Sequence, residues 1–531
     1  MLNRGGQQQY YKYAFIIFIA AYLGSIIIYS RYTFNLDDIW MWLNIYNKDL
    51  ILNGYVPHQG RFFPLASLDL NILMQFSKSP YLFFSFNALV AGSIIILYYK
   101  LLNEINLSSR IRMLVISLFI LGIGFVTVIF GICYPERLLS LSILIFVFCS
   151  VLVTKNNNFK ACIIGLLALN ISLYLKEPVF ISAFAFGVIL IYGGFRDKNK
   201  LLKIYGSLIC ISSVIYISLY FTFIYGEIVK RYDQTVIFDV FLIKLRGFIH
   251  YLLNDSFIAF LLSAILFYRI YLILKKKEEI NILFDGLLIA AFLYFIAFLV
   301  LNLYSNYYLL PSYMMGGVAM MYYLINKNYI RFFYLKAISI ICGILFITMS
   351  IPSGIHNIVG FKSNGVQFQD TLAFISSYIN NSSKKVNIYF DGIGRGVDKY
   401  GEYYPSYFAQ YLNTIYKVDN FDILSKEPNG RQINIDSNSK IAYKNTSEIQ
   451  EPKKGDLLIV TNVSNNFNGP SYMKELKNKY TLIYKTNSFN IPYISVKSLS
   501  KYFLKQNNMY LKIFNNENIF KLPLNTYVFE I

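Results

Sequence analysis

Apolar residues fill the first 350 positions in long unbroken runs, with no alternating or amphipathic pattern across most of them. The runs lie near 13–30, 81–99, 113–132, 138–154, 161–175, 179–194, 204–225, 252–273, 282–301, 308–325 and 335–352. A helix needs roughly 17 to 25 such residues to cross the hydrocarbon, so the pattern predicts about eleven membrane-spanning helices. The first run follows Arg4 and Lys12 and has no small-residue cleavage site after it, which predicts an uncleaved first span. From about Pro352 onward the sequence turns polar and rich in Asn and Lys, with short β-like runs at 386–390, 457–461 and 481–484 and a helical stretch at 403–416. The expectation is a transmembrane domain over 1–352, with a first outer loop at 31–80, followed by an α/β domain over 353–531 outside the hydrocarbon.

Charge orients these spans. Lys100, Arg110 and Arg112, then Lys155 and Lys160, then Arg196, Lys198, Lys200 and Lys203, then Lys275, Lys276 and Lys277, then Lys327, Arg331 and Lys336 occupy every second loop. With the N-terminus these loops form the cytoplasmic side, and an odd number of spans puts the C-terminal domain on the other side. The net charge of +20 would suggest nucleic acid in a soluble protein. In a chain that is 56% hydrophobic with a mean hydropathy of +0.46, membrane topology explains it, so lipids and not nucleic acid are the expected partners. The five cysteines lie in or beside apolar runs and imply no disulfide framework for the C-terminal region.

The opposite loops carry mixed charges, aromatics and prolines. In the first, Asp37 and Asp38 follow the first span, and Trp40 and Trp42 are the only tryptophans of the chain. A carboxylate at headgroup level can hold a raised pKa and act as a general base, or bind a divalent cation. Equally, an Asp pair can serve the N-terminus of a helix starting near Ile39. Downstream come His58, then Gly60-Arg61. An Arg there suits a phosphate through bidentate hydrogen bonds, or snorkels to lipid headgroups. Pro135-Glu136-Arg137 and Lys176-Glu177-Pro178 repeat one idea, an acid beside a base at a span end next to a proline; each reads as a functional group or as a local ion pair. Lys230, Arg231, Asp233, Lys244 and Arg246 add charge to the same face, and Tyr304 to Tyr308 form an aromatic belt or a sugar-stacking wall. Asp391-Gly392-Ile393-Gly394-Arg395-Gly396 follows a β-like run, but its glycine spacing is not that of a nucleotide loop.

With Asp37-Asp38 after the first span, Gly60-Arg61 later in that loop, the alternating topology and the outer C-terminal domain, the chain resembles the GT-C class of integral membrane glycosyltransferases. Within that class the first loop looks like the serotype-converting O-antigen glucosyltransferases. The resemblance implies a polytopic α-helical enzyme of the bacterial inner membrane, its C-terminal α/β domain extracytoplasmic. It would move a hexose such as glucose from a polyprenyl-phosphate sugar to a lipid-linked glycan or cell-surface polysaccharide such as lipopolysaccharide, with inversion. Asp37 or Asp38 would be the catalytic base, Arg61, Arg137 and Lys176 the cations on the donor phosphate, and Glu136, Glu177 and His58 their supports. No cofactor is required, though Mg or Mn between acids and phosphate fits the chemistry. An O-antigen-type polymerase and a lipid or glycan transporter are the competing expectations; charges at span ends and a large terminal domain favour the enzyme.

Overall fold

The computed structural model describes residues 4–32, 36–225, 237–325, 333–391, 399–424, 431–435, 440–445, 450–461, 470–487 and 525–531. It forms two compact units. The first comprises Met1–Ile28, Ile51–Phe76 and Leu82–Ile355, the second Tyr29–Leu50, Ser77–Tyr81 and His356–Ile531. The expected first outer loop is thus shared out between the units.

The first unit is helical. Its helices are α1 (Arg4–Ile27), α3 (Leu68–Phe76), α4 (Pro80–Glu104), α5 (Ser109–Leu121), α6 (Ile123–Phe130), α7 (Glu136–Asn156), α8 (Phe159–Leu173), α9 (Val179–Arg196), α10 (Lys200–Phe223), α11 (Ile237–Asn254), α12 (Ser263–Leu274), α13 (Ile282–Val300), α14 (Leu310–Ile325) and α15 (Phe333–Leu345), while α2 (Leu36–Asn47) belongs to the second unit. Each of the eleven apolar runs is helical, but among the described residues eight helices are long and apolar enough to span, or nine when α5 and α6 count as one span bent by 62°. The count of eleven is therefore not reached. At 1.5 Å per residue the 15 residues of α8 and the 16 of α14 fall short of the roughly 30 Å hydrocarbon.

The last run does not stop at Pro352. A π-helical turn, Phe346–Ser350, lets α15 continue into α16 (Ile351–Asn380), so that helix covers Phe333–Asn380 without a break. The widened turn shifts the hydrogen-bond register just where Pro352 lacks an N–H to give.

The second unit is built on a seven-stranded sheet. Its strands are β3 (Val386–Phe390), β4 (Phe421–Leu424), β5 (Arg431–Ile435), β6 (Ile441–Asn445), β7 (Leu457–Val460), β8 (Thr481–Lys485) and β9 (Tyr527–Glu530), in the order β6-β5-β4-β3-β7-β9-β8; β1 (Tyr55–Val56) and β2 (Arg61–Phe62) form a separate hairpin in the first unit. The central β4, β3 and β7 are parallel and the flanking pairs antiparallel. All four residues of β7 are buried, as a central parallel strand covered on both faces requires. Tyr389, Leu458, Val460, Met473, Leu476 and Phe529 make one core cluster, Met473 and Leu476 coming from α18 (Pro470–Lys479). The expected strands and the helix at 403–416, observed as α17 (Lys399–Thr414), are in place. Strands β4, β5, β6 and β9 are not among the expected ones; β5 and β6, with sequences Arg-Gln-Ile-Asn-Ile and Ile-Ala-Tyr-Lys-Asn, are half polar.

Candidate functional site

In the first unit the chemistry gathers where the loops opposite the basic ones meet. The β1–β2 hairpin turns through Pro57 and Gly60, the latter at φ +71°, a left-handed conformation that glycine adopts without strain. Gly54 lies so close to the returning strand that a Cβ would stand 2.1 Å from the Phe63 carbonyl oxygen. The hairpin is then pinned by hydrogen bonds. The Tyr216 hydroxyl donates to the Phe62 carbonyl at 2.7 Å, Tyr220 to Gly60 at 3.2 Å, and the Leu65 N–H to the Tyr174 carbonyl at 3.1 Å.

That anchoring places Phe62 and Phe63 beside the ends of α7, α8 and α9. The Phe62 N–H donates to Glu177 Oε1 at 3.1 Å. Glu136, 1% exposed, sits in the first turn of α7, where the helix dipole favours its charge, and pairs with Lys176 Nζ at 2.9 Å. The ammonium of Lys176, 12% exposed, also lies 5.1 Å from the ring centre of Phe63 and 4.8 Å from that of Tyr308. Arg137, 2% exposed, pairs with Asp69 of α3 and donates to the Ile132 carbonyl at 2.5 Å. Asn87 of α4 donates to the carbonyls of Ile129 and Gly131 at 3.0 and 2.9 Å, fixing the turn that carries Glu136 and Arg137.

The expected local ion pairs are therefore exchanged: neither acid bonds its sequence neighbour. Glu136 takes the lysine of the other loop, Arg137 takes Asp69, and Glu177 takes a backbone amide. Burial alone drives the Lys176 ammonium down, but Glu136, Tyr308 and Glu177 together outweigh it and hold the group above the ordinary lysine value. Burial raises the Glu177 carboxyl above its ordinary value, although Lys176, the Phe62 amide and Arg61 pull it back.

Tyr304 to Tyr308 face inward in part. Tyr307 lies 4.7 Å from Tyr134 and 4.4 Å from Tyr308, which stacks on Phe298 at 4.7 Å. Of the remaining candidates of this unit, His58, Arg61 and Arg246 are exposed and Lys244 is half-buried. His58 and Arg61 both face solvent, and among the described residues Arg61 makes no ion pair within 4.0 Å. Lys244 Nζ donates to the Val300 carbonyl at 2.9 Å, closing the C-terminus of α13, and Arg246 is exposed. Lys230, Arg231 and Asp233 lie outside the described residues.

In the second unit, α2 begins at Leu36 and not near Ile39, so Asp37 and Asp38 both sit in its first turn. Adjacent helical residues point about 100° apart. Asp37 is exposed and Asp38 fully buried, within electrostatic reach of Tyr411. Around them the Tyr411 hydroxyl donates to the Ile39 carbonyl at 2.8 Å, and the ring of Tyr32 contacts Trp42 at 5.5 Å and Tyr411 at 6.0 Å. Asp391 is buried at the end of β3; the glycines that follow it, 392–396, lie outside the described residues.

Asp69 and Asp255 are among the buried acids that the sequence does not single out. Asp69 sits in Leu-Asp-Leu-Asn-Ile-Leu, where an acid inside an apolar helix was itself a signal that a buried cation waited for it. Asp255, 2% exposed, accepts from Asn306 Nδ2 at 2.7 Å and from the Tyr313 hydroxyl at 3.2 Å, and nothing near it in sequence announces either partner. Among the described residues no three of His, Cys, Asp and Glu gather as metal ligands.

No protein-family description and no curated protein matches the chain. Solved structures do match weakly along most of its length. The Archaeoglobus fulgidus oligosaccharyltransferase, determined in complex with Zn and sulfate, aligns over 97% of this chain and 88% of its own at 13% identity and a TM-score of 0.41. Archaeal oligosaccharyltransferase AglB from Archaeoglobus fulgidus, in complex with an inhibitory peptide and a dolichol-phosphate, aligns over 98% and 88% at 10% identity and the same score. At this identity and score the likeness carries no argument about the activity of this chain.

Proposed function

We propose that the chain is a membrane glycosyltransferase that takes a hexose from a polyprenyl-phosphate donor and passes it to a lipid-linked glycan or cell-surface polysaccharide on the extracytoplasmic face. The observation that carries this reading is the Lys176 ammonium, almost buried between Glu136 and two aromatic rings at the loop ends of the helices. A cation kept charged there suits the phosphate of a membrane-borne donor, whose leaving group gains charge as the sugar departs. Arg61, exposed in the hairpin, supplies a second cation. Arg137, tied to Asp69, positions the α7 turn. Glu136 and Glu177 orient Lys176 and the hairpin, and His58 stands on the same hairpin.

The resemblance assigns the base role to Asp37 or Asp38. Of the two, the exposed Asp37 can meet an acceptor hydroxyl, while the buried Asp38 holds the helix that carries it. In the reaction that the resemblance implies, a carboxylate base takes the hydroxyl proton, the oxygen bonds the anomeric carbon from the face opposite the leaving phosphate, and the carbon–phosphate oxygen bond breaks. The electron pair leaves with polyprenyl phosphate, and the sugar configuration inverts. No step is assigned to Mg or Mn.

The break between α5 and α6 favours a second reading, a lipid or glycan transporter, since such proteins use broken helices. The decisive assay follows labelled sugar from polyprenyl-phosphate hexoses to lipid-linked glycan in membranes carrying the wild type, Asp37→Asn or Lys176→Ala. Transfer by the wild type that both stably expressed variants lose supports the enzyme; no transfer from any donor by the wild type sinks it.

A further inference from the structure

At the end of the first unit that carries the basic loops, α1 and α5 lean together and leave a groove of about 370 Å³. Ala14, Phe15 and Phe18 line it from α1, and Met113 and Leu114 from α5. The lining positions recur at three and four residues on both helices, so each helix offers one stripe. Neighbouring Ile16 and Ile17 are exposed, as expected of a span whose surroundings are lipid. Across the mouth of the groove the Arg110 guanidinium carbon lies 5.0 Å from the ring centre of Tyr11. A guanidinium over a ring face is held by the ring quadrupole and keeps its N–H donors for a further partner. Arg110 is exposed, Lys12 beside Tyr11 is exposed, and among the described residues Arg110 has no carboxylate within 4.0 Å.

We propose that this groove binds one anionic phospholipid, its acyl chain along the apolar stripes and its phosphate on Arg110. The volume falls in the range of small-ligand pockets. A planar guanidinium matches phosphate oxygens in a bidentate fashion, and basic residues next to a span draw anionic lipids. A zwitterionic lipid would bring its own cation against Arg110 and Lys12, so the site selects for net negative charge.

The test uses the full chain in nanodiscs of mixed phosphatidylglycerol and phosphatidylcholine, released into the gas phase and weighed with its retained lipids. The wild type is expected to keep one phosphatidylglycerol in preference to phosphatidylcholine by about tenfold, the scale of one charge-assisted contact. Arg110→Gln should bring the two lipids to parity, and Arg110→Lys should restore part of the preference. Ala14→Trp should expel the lipid by filling the groove while keeping the charge; Ser117→Phe does so from the other wall should Ala14→Trp fail to fold. Equal retention of both lipids by the wild type, or unchanged retention in Arg110→Gln, would overturn the proposal. So would displacement of phosphatidylglycerol by equimolar polyprenyl phosphate, which would make the groove a site for the isoprenoid.

Discussion

Removing the Asp69 carboxylate should be among the most damaging single changes in the first unit. Asp69→Asn leaves the Arg137 guanidinium 2% exposed, facing the carbonyls of Ile132 and Tyr134 and a neutral amide, with no carboxylate paired to it among the described residues. Breaking a buried ion pair from one side costs about 3–5 kcal/mol, because the remaining charge has lost both solvent and partner. Replacing both residues with apolar ones of similar volume, Asp69→Leu with Arg137→Met, should cost far less than the sum of the two single changes. The chain supplies its own control. Lys155 and Glu104 pair at 3.5 Å but are 38% and 33% exposed, so Glu104→Gln should cost under about 1 kcal/mol. Equilibrium unfolding in mixed micelles compares the wild type with Asp69→Asn, Asp69→Leu, Arg137→Met, the double and Glu104→Gln. If Asp69→Asn costs no more than Glu104→Gln, or if the single changes add in the double, the buried pair is not the keystone of the α7 turn.

Three further outcomes follow from the same geometry. Asp37→Asn should abolish sugar transfer with the melting temperature unchanged, whereas Asp38→Asn should lower the melting temperature and reduce transfer only in step with folded protein; the reverse pattern would exchange their roles. Glu177 is held above its ordinary value of 4.5, so the folded state keeps a proton that the unfolded state releases, and its contribution to stability falls as pH rises past 4.5. Glu177→Gln keeps an acceptor for the Phe62 amide, so it should be more stable than the wild type above that pH and equal to it below; equal unfolding midpoints across pH 4 to 8 would argue against this. Gly54→Ala drives a Cβ into the Phe63 carbonyl, and the shift of the hairpin should cost about 1–3 kcal/mol in unfolding free energy. A cost near zero would mean that the hairpin gives way freely.

The patterning of the sequence determined where the helices lie. Long apolar runs have no soluble alternative, and every run came out helical, even those too short to cross unaided. The three expected strands and the helix of the second unit were legible for a similar local reason: Leu457–Val460 is a continuous apolar segment, and Val386–Phe390 is apolar but for Asn387, as covered strands are. Half-polar β5 and β6 were not legible, because their strand state comes from pairing with a neighbour and not from their own side chains. Nor did the proline at 352 mark an end, since a π-helical turn absorbed its missing donor.

For the candidate site, the sequence showed which residues were charged near span ends, and the tertiary structure alone decided whom they meet. Glu136 and Arg137, adjacent in the chain, open a helix on which consecutive side chains diverge, so each reaches a different segment, Lys176 across one loop and Asp69 in α3. The same divergence separates exposed Asp37 from buried Asp38. Residue type is a property of each position, but the partner of a charge, and hence its protonation and its use, depends on chain segments dozens of residues away that only the fold brings alongside.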